Sequence, residues 1–469
     1  MSIFPKNYSK RNTYYVSASG TGTGISEKDP MSFQAAMEQE YGPGDCLLFC
    51  RGDVFYGNIS PKVSALPDAP FVIGAYGVGP KPIISRAKHL SEGWVHHDGP
   101  FYKFDLTAVG TFEGVQDDGA NVGFIEDSKG TKHGIRRANA ESCRNQYDFY
   151  CSHGWIFIKS YIDPYKALGR LTLGNYHDWD SIIKISSNTE ILDLQIENGG
   201  YGITLKKPGS ENLYIHDCII QNIGGTQLGT KGFTKAGNGI EFFGSAFNAL
   251  VERNIFRNTY DVGFTIQGGH DCRWENITVR NNIFAYNTQA CEIWTHGNDN
   301  QKQGVHGFSF TGNLCINQGE GWGTIARPDK YGGQGQVITT DILVYGYNAP
   351  ALKAEFSDNT FFQRNSLNRI YSISSTGGRF LYEAVIYRNH IYMPSKTSIC
   401  ASTDDLENQY GRVYACFSEW QKQYQHDGDS FFHAIGNQDY SQMEQTAYNS
   451  VDFDEIVSVA KTAGLTIFH

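Results

Sequence analysis

Two glutamates occupy the same place in two copies of one short pattern. Glu241 lies in NGIEFFG (238–244) and Glu292 in CEIWTHG (291–297). Between them VGFTIQG (262–268) holds Thr265 at the matching position. Side chains alternate along a strand, so if the three segments stack in register, Glu241, Thr265 and Glu292 share one outward column. Ile240, Phe264 and Cys291 then point inward, as does Ile203 of YGITLK (201–206), whose Thr204 joins the outward set. Stacked strands are ~4.8 Å apart, which puts the two glutamates ~9.6 Å apart along the backbone. Leaning side chains shorten this toward the ~6.5–9.5 Å separation of an inverting glycosidase, where one carboxyl protonates the leaving oxygen and the other activates water. Asp261, just before the middle segment, is placed to join them.

Other residue types nearby suit a sugar polymer. Lys206, Phe243, Gln267 and Trp294 fall two residues further along the same strands. Exposed aromatics stack on the apolar face of sugar rings, and Trp294, Phe243 and Trp322 are the candidates. GWGTIARPD (321–329) reads as the next strand of the series, ending in Arg327 and Asp329. A guanidinium at Arg327 would hold an acidic sugar bidentately. His296 lies on the same side. A second chemistry remains open, β-elimination from a uronate-containing polymer. Lys206, Lys235, His296 or Arg327 would then be the base. A cation or Ca²⁺ would neutralise the acid, and where it is Ca²⁺, Glu241, Glu292 and Asp261 would be its hard oxygen ligands; no other cofactor is expected. A third is a non-catalytic carbohydrate-binding solenoid, in which the same side chains are solvated or covered by loops. The hydrolase is the first reading, and no metal is assigned under it.

The segments that must position these residues repeat. An alternating apolar run, an Asn and a second apolar run recur as LVERNIFRN (250–258), TVRNNIFAYN (278–287), FSFTGNLCIN (308–317), AEFSDNTFF (354–362) and AVIYRNHIY (384–392). Weaker copies are EILDLQIEN (190–198) and NLYIHDCIIQN (212–222). Each is a period-2 strand, a bend and a short second strand. Asn tolerates the left-handed region, so it suits the bend. Its amide also reaches the Asn of the next coil, so Asn254, Asn282, Asn313, Asn359 and Asn389 should form a ladder. Uneven loops between copies fit a parallel β-helix, where each coil touches only its neighbours.

The N-terminal part carries a resemblance. YYVSASGTGTG (14–24), DPMSFQAAMEQ (29–39) and PGDCLLFCRGDVFYGNI (43–59) resemble the opening of the pectate-lyase-like right-handed parallel β-helix superfamily. The resemblance runs from about Tyr14 to Met393. It implies a first strand, a short helix capping the open end, and a turn into the first coil. Ser32 is the expected N-cap of that helix, through Tyr41. The resemblance specifies a fold shared by hydrolases, lyases, esterases and epimerases, and not one reaction. The expected architecture is all-β. Residues 1–60 hold the first strand, cap and first coil, and 61–181 the early coils with an inserted β-substructure from about Asp98. Residues 182–396 form the central β-helix, and 397–469 a C-terminal cap whose segment 452–464 reads as a helix.

Composition narrows the partners. Charged residues make up only 19%, with 52 Gly, 28 Tyr and 29 Phe, a β-rich globular profile with many turns. The net charge of −10 argues against nucleic acid, since phosphate binding needs a basic face. No apolar run is long enough to span a bilayer as a helix, so no membrane partner is expected. A polysaccharide or oligosaccharide is, with the chain a monomer or homo-oligomer. MSIFPKNYSKRNTY (1–14) lacks an apolar h-region, which points to a cytoplasmic or phage-borne protein unless a signal was removed. The ten cysteines include no CxxC pair and read as buried free thiols.

Overall fold

The structure, a computed structural model, describes Phe4 and residues 12–109, 121–175, 181–226, 237–269, 271–296, 303–326, 339–347, 352–366, 368–375, 384–404 and 412–435. Three long sheets run its length. The first has ten strands from Thr13–Val16 to Val385–Tyr387, and the second ten, from Val54–Tyr56 to Phe431–Ala434. The third has nine, from Ser181–Ile185 through Ile399–Asp404 to Arg412–Cys416. All pairing within them is parallel except the last strand of the third, which returns antiparallel. The chain visits the first, second and third sheets in turn, as in Ala246–Glu252, Ile255–Thr259 and Val262–Gly268. This is the right-handed parallel β-helix. The solenoid begins well before Ile182 and continues past Met393, because Ile399–Asp404 and Phe431–Ala434 pair with the preceding coil.

Alternation along each strand fills the interior with aligned columns. Ile191, Ile215, Val251, Val279, Phe310, Phe356 and Ile386 stack in the first sheet. In the second, Ile220, Phe256, Phe284 and Cys315 do the same, with the Phe256 and Phe284 rings stacked at 4.6 Å. Cysteines serve here as small apolar residues: Cys218, Cys291, Cys315 and Cys400 are buried and unpaired.

The asparagine ladder forms between the first and second sheets. Asn254 donates to Asn282, Asn282 to Asn313, Asn313 to Asn359 and Asn359 to Asn389, each through its amide to the next Oδ1 at 3.1–3.2 Å. The expected reason for Asn needs correcting. The left-handed residue is the one before it: Arg253 (φ 54°), Asn281 (52°), Gly312 (64°), Asp358 (55°) and Arg388 (51°). The ladder Asn is selected by its side-chain donor and acceptor. A second ladder, Asn276 to Asn248 to Asn212 to Asn188, marks the corner between the third and first sheets.

Both ends are covered. The helix Phe33–Glu38 is capped by Ser32, whose Oγ accepts from Ala35 N at 3.1 Å, and Phe33 packs on Phe49 and Phe55. It stops before Tyr41 because Glu40–Tyr41 pairs as a strand with Lys62–Val63. At the far end the helix Phe417–Tyr424 buries Trp420 against Tyr371. The segment 452–464, expected as a helix, lies outside the described residues.

The insert begins earlier than Asp98, at Lys88–Leu90, and comprises two four-stranded antiparallel sheets with their own core of Leu90, Leu106, Ile125, Ile156, Ile158 and Leu171. It seats on the solenoid where Gly123 meets Gly224. A Cβ at Gly123 would come 2.2 Å from Gly224 O, so only glycine permits this approach.

Candidate active site

The third sheet carries the glutamates, and its register is the expected one. Thr204 pairs with Glu241, Glu241 with Thr265, and Thr265 with Glu292. Ile203, Ile240, Phe264 and Cys291 are fully buried in the adjoining column. Glu241 and Glu292 stand two rungs apart, ~9.6 Å along the sheet. They point away from the core yet are not open to solvent. Glu241 is 4% exposed, Thr265 0% and Glu292 9%, whereas Phe243 one column on is 45% exposed. The column is a shielded polar stripe on the outside of an apolar wall.

That shielding sets the electrostatics. Burial pushes the Glu241 carboxyl up to about 7, against the hydrogen bond from Asn238, and the negative charge of Asp261 pushes in the same direction as burial. Asn238 Nδ2 donates to Glu241 Oε2 at 2.6 Å. Glu292 accepts from Gln267 Nε2 at 2.6 Å. Thr265 Oγ1, between the two carboxyls, is buried and has no hydrogen-bond partner among the described residues, and the same holds for Asn238 Oδ1. Buried polar atoms are rarely left unmatched, so both mark places where water or a ligand hydroxyl belongs.

The remaining candidates divide. Phe243, Gln267 and Trp294 share one column, as expected. Lys206 is committed elsewhere: its ammonium donates to Pro61 O at 2.8 Å and Ser60 O at 3.5 Å, fastening the early chain to the third sheet. Asp261 precedes the strand Val262–Gly268 and is bound through its backbone to Gly237 and Gln289. The strand expected at 321–329 is not one. Trp322–Ile325 is a short helix, and Gln289–His296 pairs directly with Thr340–Tyr347. Glycines at 319, 321 and 323 and the absence of alternation explain the misreading. Trp322 therefore leaves the glutamate face and turns toward the insert, 5.3 Å from Phe124 and 5.6 Å from Tyr260 between ring centroids. Arg327, Asp329 and Lys235 lie outside the described residues, as does the side chain of His296.

Among the described residues, no three His, Cys, Asp or Glu side chains converge to hold a metal ion. Glu241, Asp261 and Glu292 therefore do not form such a three-residue group. Asn238 was missed as a site residue, and nothing in the repeat signals it, because it precedes the strand.

Residues 179–305 match the family model described as a right-handed β-helix region. The fold defines the class, a right-handed parallel β-helix. No curated protein matches the chain in sequence. Among solved structures it is similar to the complex of XylC with xylose, at 12% identity and TM-score 0.40 over 91% of this chain and 86% of that one. It is similar to the GH136 lacto-N-biosidase of Eubacterium ramulus, at 13% and 0.37 over 90% and 68%. A structure described as a glycoside hydrolase matches at 8% and 0.44 over 97% and 99%.

Proposed function

We propose that the chain is a carbohydrate-active enzyme, a glycoside hydrolase that cleaves a polysaccharide or oligosaccharide with inversion. Glu241 is the general acid and Glu292 the general base. The carrying observation is the column itself: two carboxyls two rungs apart with a buried, unmatched hydroxyl between them. Glu241, raised to about 7, keeps its proton near neutral pH and delivers it to the glycosidic oxygen as that bond breaks. Glu292 takes a proton from the water that attacks the anomeric carbon from the opposite face. Gln267 orients Glu292, Asn238 orients Glu241, and Trp294 with Phe243 lines the outer edge where sugar rings stack.

The test is a panel of polysaccharides with reducing ends and unsaturated-uronate absorbance followed together. Hydrolysis releases reducing ends alone. Glu241→Gln and Glu292→Gln should each abolish that release while the fold is kept. Unsaturated product, or activity that survives both substitutions but is lost in Arg327→Ala, would replace this reading with elimination. No release from any polymer would leave a binding solenoid.

A further inference from the structure

Where the insert seats on the solenoid, the two enclose a cavity of ≈ 370 Å³ beside the corner between the second and third sheets. This lies in the ~300–1,000 Å³ range of small-molecule sites, with room for a monosaccharide. It is built from both parts of the chain. Phe124, Lys132 and Arg136 come from the insert, and Asn258, Tyr286 and Trp322 from the solenoid. Trp322 is fixed by its own hydrogen bond, Nε1 to Asn258 O at 3.1 Å, and by its edge contact with Phe124. Its half-buried ring borders the cavity, with the Lys132 ammonium 5.5 Å from the ring centroid.

The charges lining the cavity do not all cancel. Lys132 is neutralised by Glu126 at 2.6 Å, and its ammonium also donates to Asn222 at 2.8 Å and faces the Phe124 ring at 4.8 Å. Glu320 is matched by Arg364 at 3.0 Å, and Asp148 by Arg137 at 3.0 Å. Arg136 is different. Its guanidinium donates to the amide oxygen of Asn121 and has no carboxylate partner among the described residues. A guanidinium carries five donors in a planar fork suited to a carboxylate. Asn145 and Gln146 border the same space, and their amide side chains are of a type that suits hydroxyl groups.

We infer that this cavity binds an acidic sugar residue, a uronate, with its ring on Trp322 and its carboxylate on Arg136. The choice of a saccharide rests on the hydrolase reading; the cavity, its tryptophan and the unmatched guanidinium do not. Trp322 touches Tyr260, five residues before Thr265, so the cavity lies roughly 16 Å along the chain from the glutamate column at ~3.3 Å per residue. The bound uronate is therefore not the sugar whose bond breaks. It is a distal residue that anchors an acidic polymer, and the site supplies the local attraction that the net charge of −10 does not.

Ligand-observed NMR titrations of the full chain with glucuronate and with glucose, at equal ionic strength, test this. Glucuronate should bind about tenfold or more tightly than glucose, because the carboxylate adds charge-assisted hydrogen bonds. Arg136→Gln should erase the preference, and Trp322→Leu should weaken both sugars. If Arg136→Gln lowers the melting temperature, Arg136→Lys, which keeps the charge but loses the fork, should still reduce the preference. Equal binding of the two sugars, no binding of glucuronate, or a preference undiminished in a folded Arg136 variant would overturn the inference. Glu241→Gln should leave glucuronate affinity unchanged, so that failure of the hydrolase reading and failure of this one are separately visible.

Discussion

Asn282 donates both its backbone N–H and its side-chain amide to one oxygen, Oδ1 of Asn313, at 2.9 and 3.1 Å. Asn313 passes the same pair of bonds to Asn359 and also donates to Val279 O at 3.0 Å. Asn313→Ala would remove the acceptor of the buried Asn282 N–H and of one N–H of its amide, and the side-chain donor to Val279 O, at once. A cost on the order of 3 kcal/mol or more is expected, since each unmatched buried group costs ~1–3 kcal/mol. Urea unfolding measures it; an unchanged midpoint would show that the ladder contributes nothing to stability.

Gly123 predicts how the insert is held. Alanine there would place a methyl 2.2 Å from a backbone oxygen that has no rotamer with which to yield. Gly123→Ala should raise hydrogen exchange in the strand Val122–Glu126 and leave the second-sheet strands around Phe256 and Phe284 protected. Gly269→Ala, with nothing within 4 Å of the new Cβ, is the matched control. Equal exchange in both variants would mean that the insert does not depend on this contact.

His216 makes stability depend on pH. Burial opposes its charge, but hydrogen bonds to Asp217 at 2.6 Å and Glu190 at 3.0 Å outweigh burial and raise its pKa above 6.5. A raised folded value means the contribution is complete below the unfolded pKa and is lost as pH rises through the folded one. The stability gap between the natural chain and His216→Ala should therefore be widest below pH 6.5 and narrow above it. A gap constant with pH would remove the charged histidine from the account.

The solenoid was legible because its signal is periodic: alternating apolar residues and a recurring Asn are backbone requirements repeated in every coil. The register of Glu241, Thr265 and Glu292 was legible for the same reason, since a slip by one residue would have buried Glu241 in the apolar core and exposed Ile240. What happens once was not legible. The turn of Trp322 into a helix, the commitment of Lys206 to Pro61, and the seating of Gly123 on Gly224 depend on contacts between distant segments. The insert obscured its own start at Lys88, because a strand pairing with Leu171–Asn175 looks locally like one continuing the coil.

The last prediction concerns Glu241 as an acid. With its carboxyl raised to about 7 by burial, opposed by Asn238 and aided by Asp261, it is protonated over the range in which a general acid is needed. Turnover should fall as pH rises through about 7, where that proton is lost. Asp261→Asn removes the negative charge that helps hold the proton, so the alkaline limb should move to lower pH while the fold persists. Glu241→Gln should lower turnover by ~10²–10⁴-fold, the usual worth of a general acid, and abolish the alkaline limb from what remains. Stability carries the same sign. A carboxyl whose folded pKa exceeds its usual 4.5 contributes stability below 4.5 that is lost as pH climbs to about 7, and Glu241→Gln should flatten that slope. Rate against pH and urea midpoint against pH report on one proton by independent routes. If the slope flattens while the rate is untouched, Glu241 is a buried structural acid and catalysis lies elsewhere.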